Sequence, residues 1–318
     1  MIEGIKVVDL SSVGPGARCS WILADLGADV CKVVAPASAR RIDPPFHTYG
    51  AGRGTRREEI NLKEDKARFL DLVAESDVVI ESFRPGVADR LGVGYDACRD
   101  QNPKIVYAAI TGYGQSGERS TWAGHDVNYL AVAGYLAMQN NALPGATVAD
   151  SAGGGMQAAM SILAALLRCE RTGEGAYLDV STTNGVLFLM ALQIDEYLAT
   201  GRNVTTLSGG YACYDTYECG DGSWISVGAI EGQFFKNLCV ALGMEELASA
   251  QYDDARQDEL RAALRDAFKR KSRDEWVADL APKDTCVAPV LSVAEVATQV
   301  ETQDAGGFEQ MVPVIARG

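Results

Sequence analysis

The 318-residue chain has two histidines, His47 and His125. His125 lies in Gly124-His125-Asp126-Val127-Asn128-Tyr129. An imidazole there could take or give a proton near neutral pH, although a lone histidine is more often structural. Asp150 stands in Val148-Ala149-Asp150-Ser151-Ala152-Gly153-Gly154-Gly155, ahead of a long helical pattern. The ordinary reading of such an aspartate is a helix N-cap. Three successive glycines weaken a helix start, so something other than helix stability wants small residues and free N–H groups there. A carboxylate at the positive end of a helix stays ionised, which suits a base or a nucleophile. A third candidate, Glu231, follows an expected strand in Gly228-Ala229-Ile230-Glu231-Gly232. An acidic residue in a first helical turn is routine, so this signal is weak on its own.

Forty-three acidic against 29 basic side chains leave a formal charge of −14. Such a surface repels phosphate backbones and anionic lipid, which excludes nucleic-acid and membrane binding as main functions. An anionic ligand would then need a local concentration of positive charge. Residues 40–68 supply one, with eight basic side chains (Arg40, Arg41, Arg53, Arg56, Arg57, Lys63, Lys66, Arg68) against five acidic ones. Arg84, in Glu81-Ser82-Phe83-Arg84-Pro85-Gly86, and Arg90 follow shortly after. Guanidinium groups at strand ends suit a multiply phosphorylated ligand, and a solvated set of surface ion pairs is the plainer alternative.

The elements that must position these groups read as α/β. A strand at 5–10, a helix at 17–26 and a strand at 28–34 form a βαβ unit around Gly14-Pro15-Gly16. That turn is half of a dinucleotide fingerprint, but Cys19 occupies the place of its third glycine. Further units fit a helix at 64–75, strands at 77–81 and 105–110, a helix at 154–171 and a strand at 176–180. Beyond residue 200, strands at 214–217 and 224–227 flank the hairpin signal Gly220-Asp221-Gly222, and helices follow at 232–242, 258–269 and 273–280. The domains expected are therefore 1–198, a linker at 199–210, a small α+β domain at 211–290 and a closing segment at 291–318. Eight scattered cysteines with no CxxC pair offer no zinc cage and read as reduced thiols of a cytoplasmic protein. The N-terminus lacks a signal-peptide core, the last three residues are no peroxisomal address, and no apolar run approaches 18 residues.

In order and spacing, these segments resemble the class III CoA-transferase superfamily, and within it the α-methylacyl-CoA racemase branch. The carriers span nearly the whole chain: Gly14-Pro15-Gly16 with Leu23-Ala24-Asp25-Leu26-Gly27-Ala28-Asp29-Val30, Asn61-Leu62-Lys63, Ser82-Phe83-Arg84-Pro85-Gly86-Val87 and Thr111-Gly112-Tyr113-Gly114-Gln115-Ser116-Gly117. Gly124-His125-Asp126, Ala149-Asp150-Ser151 with its glycines, and Val227-Gly228-Ala229-Ile230-Glu231 complete the set. The resemblance implies a Rossmann-like large domain that takes back the C-terminal segment, a small domain, and an interlocked homodimer with the active site between subunits. It implies that His125 and Asp150 are the two bases that invert an α-carbon and that Glu231 orients the histidine. CoA would be part of the substrate, so no separate cofactor or metal is expected. Its expected contacts are Arg40, Arg41, Asn61, Leu62, Lys63, Ser82, Phe83, Arg84, Arg90, Gly124, Asp126 and Tyr129. Where family members often carry an acidic residue and then an arginine, this chain has Val34 and Ala35. Two other readings stand beside it: a CoA-transferase with Asp150 as nucleophile, and an acyl-CoA-binding paralogue without activity.

Overall fold

Val7 and Val8, Val30 and Cys31, Val33 and Val34, and Val78 to Ile80 are adjacent apolar residues, the pattern of parallel strands covered on both faces. In the computed structural model, which describes residues 1–36, 54–203 and 205–303, they form the centre of a six-stranded parallel sheet. Its strands are β1 (Lys6–Asp9), β2 (Asp29–Val34), β3 (Arg56–Glu59), β4 (Val78–Glu81), β5 (Val106–Thr111) and β6 (Ala176–Ser181), in the order β3-β2-β1-β4-β5-β6. Successive residues point to opposite faces. Val7, Val30, Ile80 and Ala108 therefore join Leu23 and Ile162 in one core layer, while Val8, Val79 and Tyr107 join Phe69 and Val73 in the other.

Helices α1 (Gly14–Asp25), α2 (Lys66–Ala74), α3 (Val87–Leu91) and α4 (Tyr95–Gln101) connect the first strands. Between β5 and β6 come α5 (Asp126–Val132), α6 (Tyr135–Met138), a π-helical segment at Ala149–Met156, and α7 (Gln157–Thr172). After β6 follow α8 (Thr182–Leu189) and α9 (Ala191–Thr200). The sequence signals hold for β1, β2, β4, β5 and β6 to within two residues. Strand β3 is absent from the expectations because Arg56-Arg57-Glu58-Glu59 has no apolar face. It is an edge strand, and its side chains pair outward: Arg56 with Asp29 and Glu58, Arg68 with Glu58.

Strand order reverses between β1 and β4, so the loops leaving their carboxyl ends part and open a crevice there. A buried ion pair lies under it. Lys32 of β2 pairs with Asp9 at the end of β1, and its Nζ also donates to Ser20 Oγ of α1 at 3.3 Å. The other Asp9 oxygen accepts the Ser11 N–H at 2.7 Å, which fixes the start of the β1–α1 loop.

The chain divides into two compact units, the first spanning Met1–Leu192 and the second running from Gln193. The division falls near the start of α9, ahead of the 199–210 stretch. The second unit holds an antiparallel sheet of β7 (Tyr214–Glu218), β8 (Trp224–Gly228) and β9 (Val287–Val290) in that order. Around its core of Tyr217, Phe235, Phe268 and Trp276 pack α10 (Gly232–Leu242), α11 (Gln257–Phe268) and α12 (Arg273–Leu280). Ser272 and Glu275 cap α12 reciprocally in a capping box. The last element among the described residues is α13 (Val293–Gln303); the rest of the expected closing segment, 304–318, lies outside them. Among the described residues no helix is long and apolar enough to cross a membrane.

Candidate active site

His125 is the N-cap of α5, in extended backbone. Its N–H donates to Asn128 Oδ1 at 3.0 Å, and its carbonyl accepts the Asn128 N–H at 2.8 Å. This local cap consumes the backbone groups and leaves the imidazole exposed. Gly124 has a structural reason to be small: a Cβ there would lie 2.8 Å from both Tyr113 Oη and Tyr129 Cε1. The two tyrosine rings meet edge to face at 5.2 Å, and the Tyr129 hydroxyl donates to the Gly124 carbonyl at 2.5 Å. Gly124 thus makes room for aromatic rings that set the direction of the chain into His125. Tyr129 is buried, and burial, with the negative charge of Asp150 next, pushes its hydroxyl up to about 12.

Asp150 is not the N-cap that its position ahead of a helix suggests. It lies within the π-helical segment, whose own N-cap is Val148, and regular α-helix begins only at Gln157. The glycines explain the wide turn. A Cβ at Gly153 would come within 2.9 Å of the Thr182 carbonyl, at Gly154 within 2.4 Å of Pro15 Cβ, and at Gly155 within 2.6 Å of Arg18 Cβ. From the facing helix, Gly185 would put a Cβ 1.7 Å from the Gly153 carbonyl oxygen. The segment is clasped between α1 and α8 at backbone contact, a geometry that side chains would forbid. Free N–H groups are not what the first residues offer, since the Asp150 amide donates to Asp126 Oδ1 at 2.8 Å and the Ser151 amide to the Thr147 carbonyl at 3.0 Å.

That Asp126 bond is the link between the two motifs. The residue after His125 holds the backbone of Asp150, so imidazole and carboxylate are brought to one place from positions far apart in the chain. The carboxylate rests over Gly14, where a Cβ would be 3.7 Å from Asp150 Oδ2; Gly14 has φ +70°. Asp150 has its pKa pushed up to about 6, chiefly by burial and then by the like charge of Asp126, with His125 and Arg18 opposing. It can therefore hold or release a proton near neutrality. Arg18 is a member of this set that the sequence analysis missed. Its signal was available: it follows Gly14 by four positions, one turn along the same helix face.

The expected CoA contacts are distributed as follows. Ser82 and Phe83 begin the loop after β4; Ser82 packs near Gly16 in the crevice, where a Gly16 Cβ would also strike Ser11 at 2.6 Å. Phe83 is half-buried, and its N–H donates to Glu81 Oε2 at 2.6 Å. Burial pushes that Glu81 carboxyl up to about 7. Arg84 and Arg90 are exposed on the same loop and its helix, with Arg90 Nη1 turned back toward Gly86. Asn61 shapes the turn after β3 by accepting the Lys63 N–H at 3.2 Å; Leu62 is half-buried and Lys63 exposed. Of the basic cluster at 40–68, Arg56 and Arg68 are engaged in ion pairs, while Arg40 and Arg41 lie outside the described residues. Asp126 and Tyr129 serve Asp150 and Gly124 as described above.

Glu231, in the second unit, is the exposed N-cap of α10. Its loop is held by Gln251 Nε2 and the Tyr252 hydroxyl, both donating to the Ile230 carbonyl.

Fold and site together define a class: a doubly wound α/β protein whose carboxylate and imidazole stand beside the crevice at the sheet's carboxyl edge. The family follows from comparison. The model of CoA-transferase family III matches residues 2–313, and the chain belongs to that family. It is 35% identical to alpha-methylacyl-CoA racemase from Homo sapiens, over 96% of this chain and 82% of the relative. It is 31% identical to acetyl-CoA:oxalate CoA-transferase from Acetobacter aceti, over 94% and 83% respectively. Among solved structures, a CAIB/BAIF family protein from Brucella suis superposes with TM-score 0.80 at 29% identity, covering 95% of this chain and 86% of that one. The family is enzymatic, and its members include both racemases and transferases.

Proposed function

We propose that the protein is a racemase or epimerase that inverts the α-carbon of 2-methyl-branched acyl-CoA thioesters. A thioester acidifies its α C–H, and inversion requires one base on each face of the carbon. His125 and Asp150 are assigned to those faces: one removes the proton, the other returns one from the opposite side, and the substrate's hand decides which acts first. The observation that carries this reading is the Asp126 bond, which joins the His125 turn to an Asp150 whose carboxyl sits near 6. A pair exchanging protons in both directions needs neither partner to be a strong acid or base. CoA is bound as part of the substrate, and the two-base scheme calls for no metal or redox group. The similarity to racemases supports the assignment.

As part of the same proposal, the chain works as a homodimer in the cytoplasm and Glu231 orients His125. Mixing His125→Ala chains with Glu231→Gln chains tests whether that help comes from the partner: activity that neither parent shows is expected if it does.

The deciding experiment is solvent deuterium incorporation at the α-carbon across acyl-CoAs of differing bulk. Incorporation that Asp150→Ala abolishes and His125→Ala greatly reduces is expected; incorporation at full rate without His125 overturns the scheme. The Asp150-Ser151 pair and the transferase relatives favour one second reading, in which Asp150 carries an acyl group or CoA covalently. That reading predicts an Asp150-linked thioester or anhydride trapped by hydroxylamine, and CoA exchange onto labelled carboxylic acids.

A further inference from the structure

Arg18 has no role in the scheme above, yet it stands beside the reacting carboxylate. It is one helical turn beyond Gly14, against which the Asp150 carboxylate rests, a rise of about 6 Å along α1. Its stem is pinned by the π-helical segment, because Gly155 leaves room for Arg18 Cβ and for little else. Its guanidinium lies over the buried Trp21 ring, 5.6 Å from the centroid. Stacking occupies the face of a guanidinium and leaves its N–H edge available for an anion. Among the described residues Arg18 makes no ion pair and no hydrogen bond, although the half-buried side chain is near enough to Asp150 to lower its proton affinity. A fixed, half-desolvated, unspent cation beside the reacting carboxylate is suited to planar, charge-assisted recognition.

We propose that Arg18 anchors a second carboxylate on the substrate, so that the acyl groups handled here are short chains ending in a free acid rather than plain branched hydrocarbons. This rests on the reading of Asp150 and His125 as the reacting pair. A free carboxylic acid accepting CoA would present the same chemistry to the same guanidinium.

The test is equilibrium binding, with exchange measured separately. Two thioesters are compared on the full chain: a 2-methyl dicarboxylic acid mono-CoA thioester and its methyl ester. The expected result is that the free acid binds roughly tenfold or more tighter. Arg18→Gln brings the ratio near one, and Arg18→Lys, which keeps charge without the fork, falls between. A ratio near one in the natural protein, or one that Arg18→Gln leaves intact, overturns the proposal. So does an equal Arg18 dependence for CoA alone, which would place a phosphate of CoA there. A free dicarboxylic acid that competes in an Arg18-dependent way supports the site and identifies an acceptor acid as its occupant. If neither thioester incorporates solvent deuterium while the binding ratio holds, the racemase reading falls and the anchor stands.

Discussion

The two candidate bases are held by opposite means. His125 is set by its neighbours in sequence: Asn128, three residues on, caps its N–H, and Tyr129 grips Gly124. Asp150 is set by segments distant in sequence: α1 and α8 press on its glycines, and Asp126 holds its amide. The first base is exposed and the second part-buried, and that burial raises the proton affinity of the Asp150 carboxyl. A locally built group tolerates small changes nearby. A group built by backbone contact between elements does not.

The sharpest way to break this contrast is to remove each base. Asp150→Ala and His125→Ala should each lower α-proton exchange by about 10²–10⁴-fold, the usual worth of a positioned acid or base. Isotope exchange followed by NMR reads this directly, and equal rates in either variant and the natural protein would dismiss that residue. Next come the glycines. Gly185→Ala adds a Cβ 1.7 Å from the Gly153 carbonyl oxygen and should cost about 1–3 kcal/mol of stability, with loss of activity in whatever fraction folds. Denaturant unfolding measures it. Asn128→Ala, by contrast, removes only a helix-start acceptor from His125 and should cost about 1 kcal/mol or less.

The pH behaviour separates the bases further. With its carboxyl near 6, Asp150 loses its power as a base as pH falls through that value, so exchange initiated by Asp150 should decline below about pH 6. Asp126→Asn keeps an acceptor for the Asp150 amide but removes a like charge, and should move that decline to lower pH. A limb that does not move would show that the Asp126 charge is not felt.

Stability carries the same signature with its own sign. Because the folded carboxyl is raised above its unfolded value, the proton it binds favours the folded state at low pH. That contribution is lost as pH rises through about 6. Asp150→Asn should therefore stabilise the protein above pH 6, by about 1 kcal/mol after allowance for partial solvent screening. Thermal melts of the two proteins should begin to diverge above about pH 4, where the unfolded carboxyl ionises. The difference should reach its full size above about pH 6, so that it is larger at pH 8 than at pH 5.

Much of this was legible beforehand. Five of the six strands announced themselves by their apolar residues, and the βαβ rhythm led to a parallel sheet with crossover helices. The motifs around Gly124-His125-Asp126 and Asp150 marked the family, since short runs of fixed residue types at fixed order survive as text. What escaped was whatever depends on approach between remote segments. Edge strand β3 had no apolar pattern to betray it. The helix start at Asp150 read as an N-cap because local rules know nothing of α8. Nothing in the sequence around Gly124 told that two tyrosine rings close on it.

Residue types and their order therefore determined the fold class, the family and the names of the two candidate bases. Only the tertiary structure decided that Asp150 rides a π-helical turn, that Asp126 ties it to the His125 turn, and that Arg18 stands beside it with no ion pair among the described residues. The reason is physical. Burial and close backbone contact set a carboxyl's proton affinity and a cation's partners, and both are sums over neighbours that the linear chain does not place together.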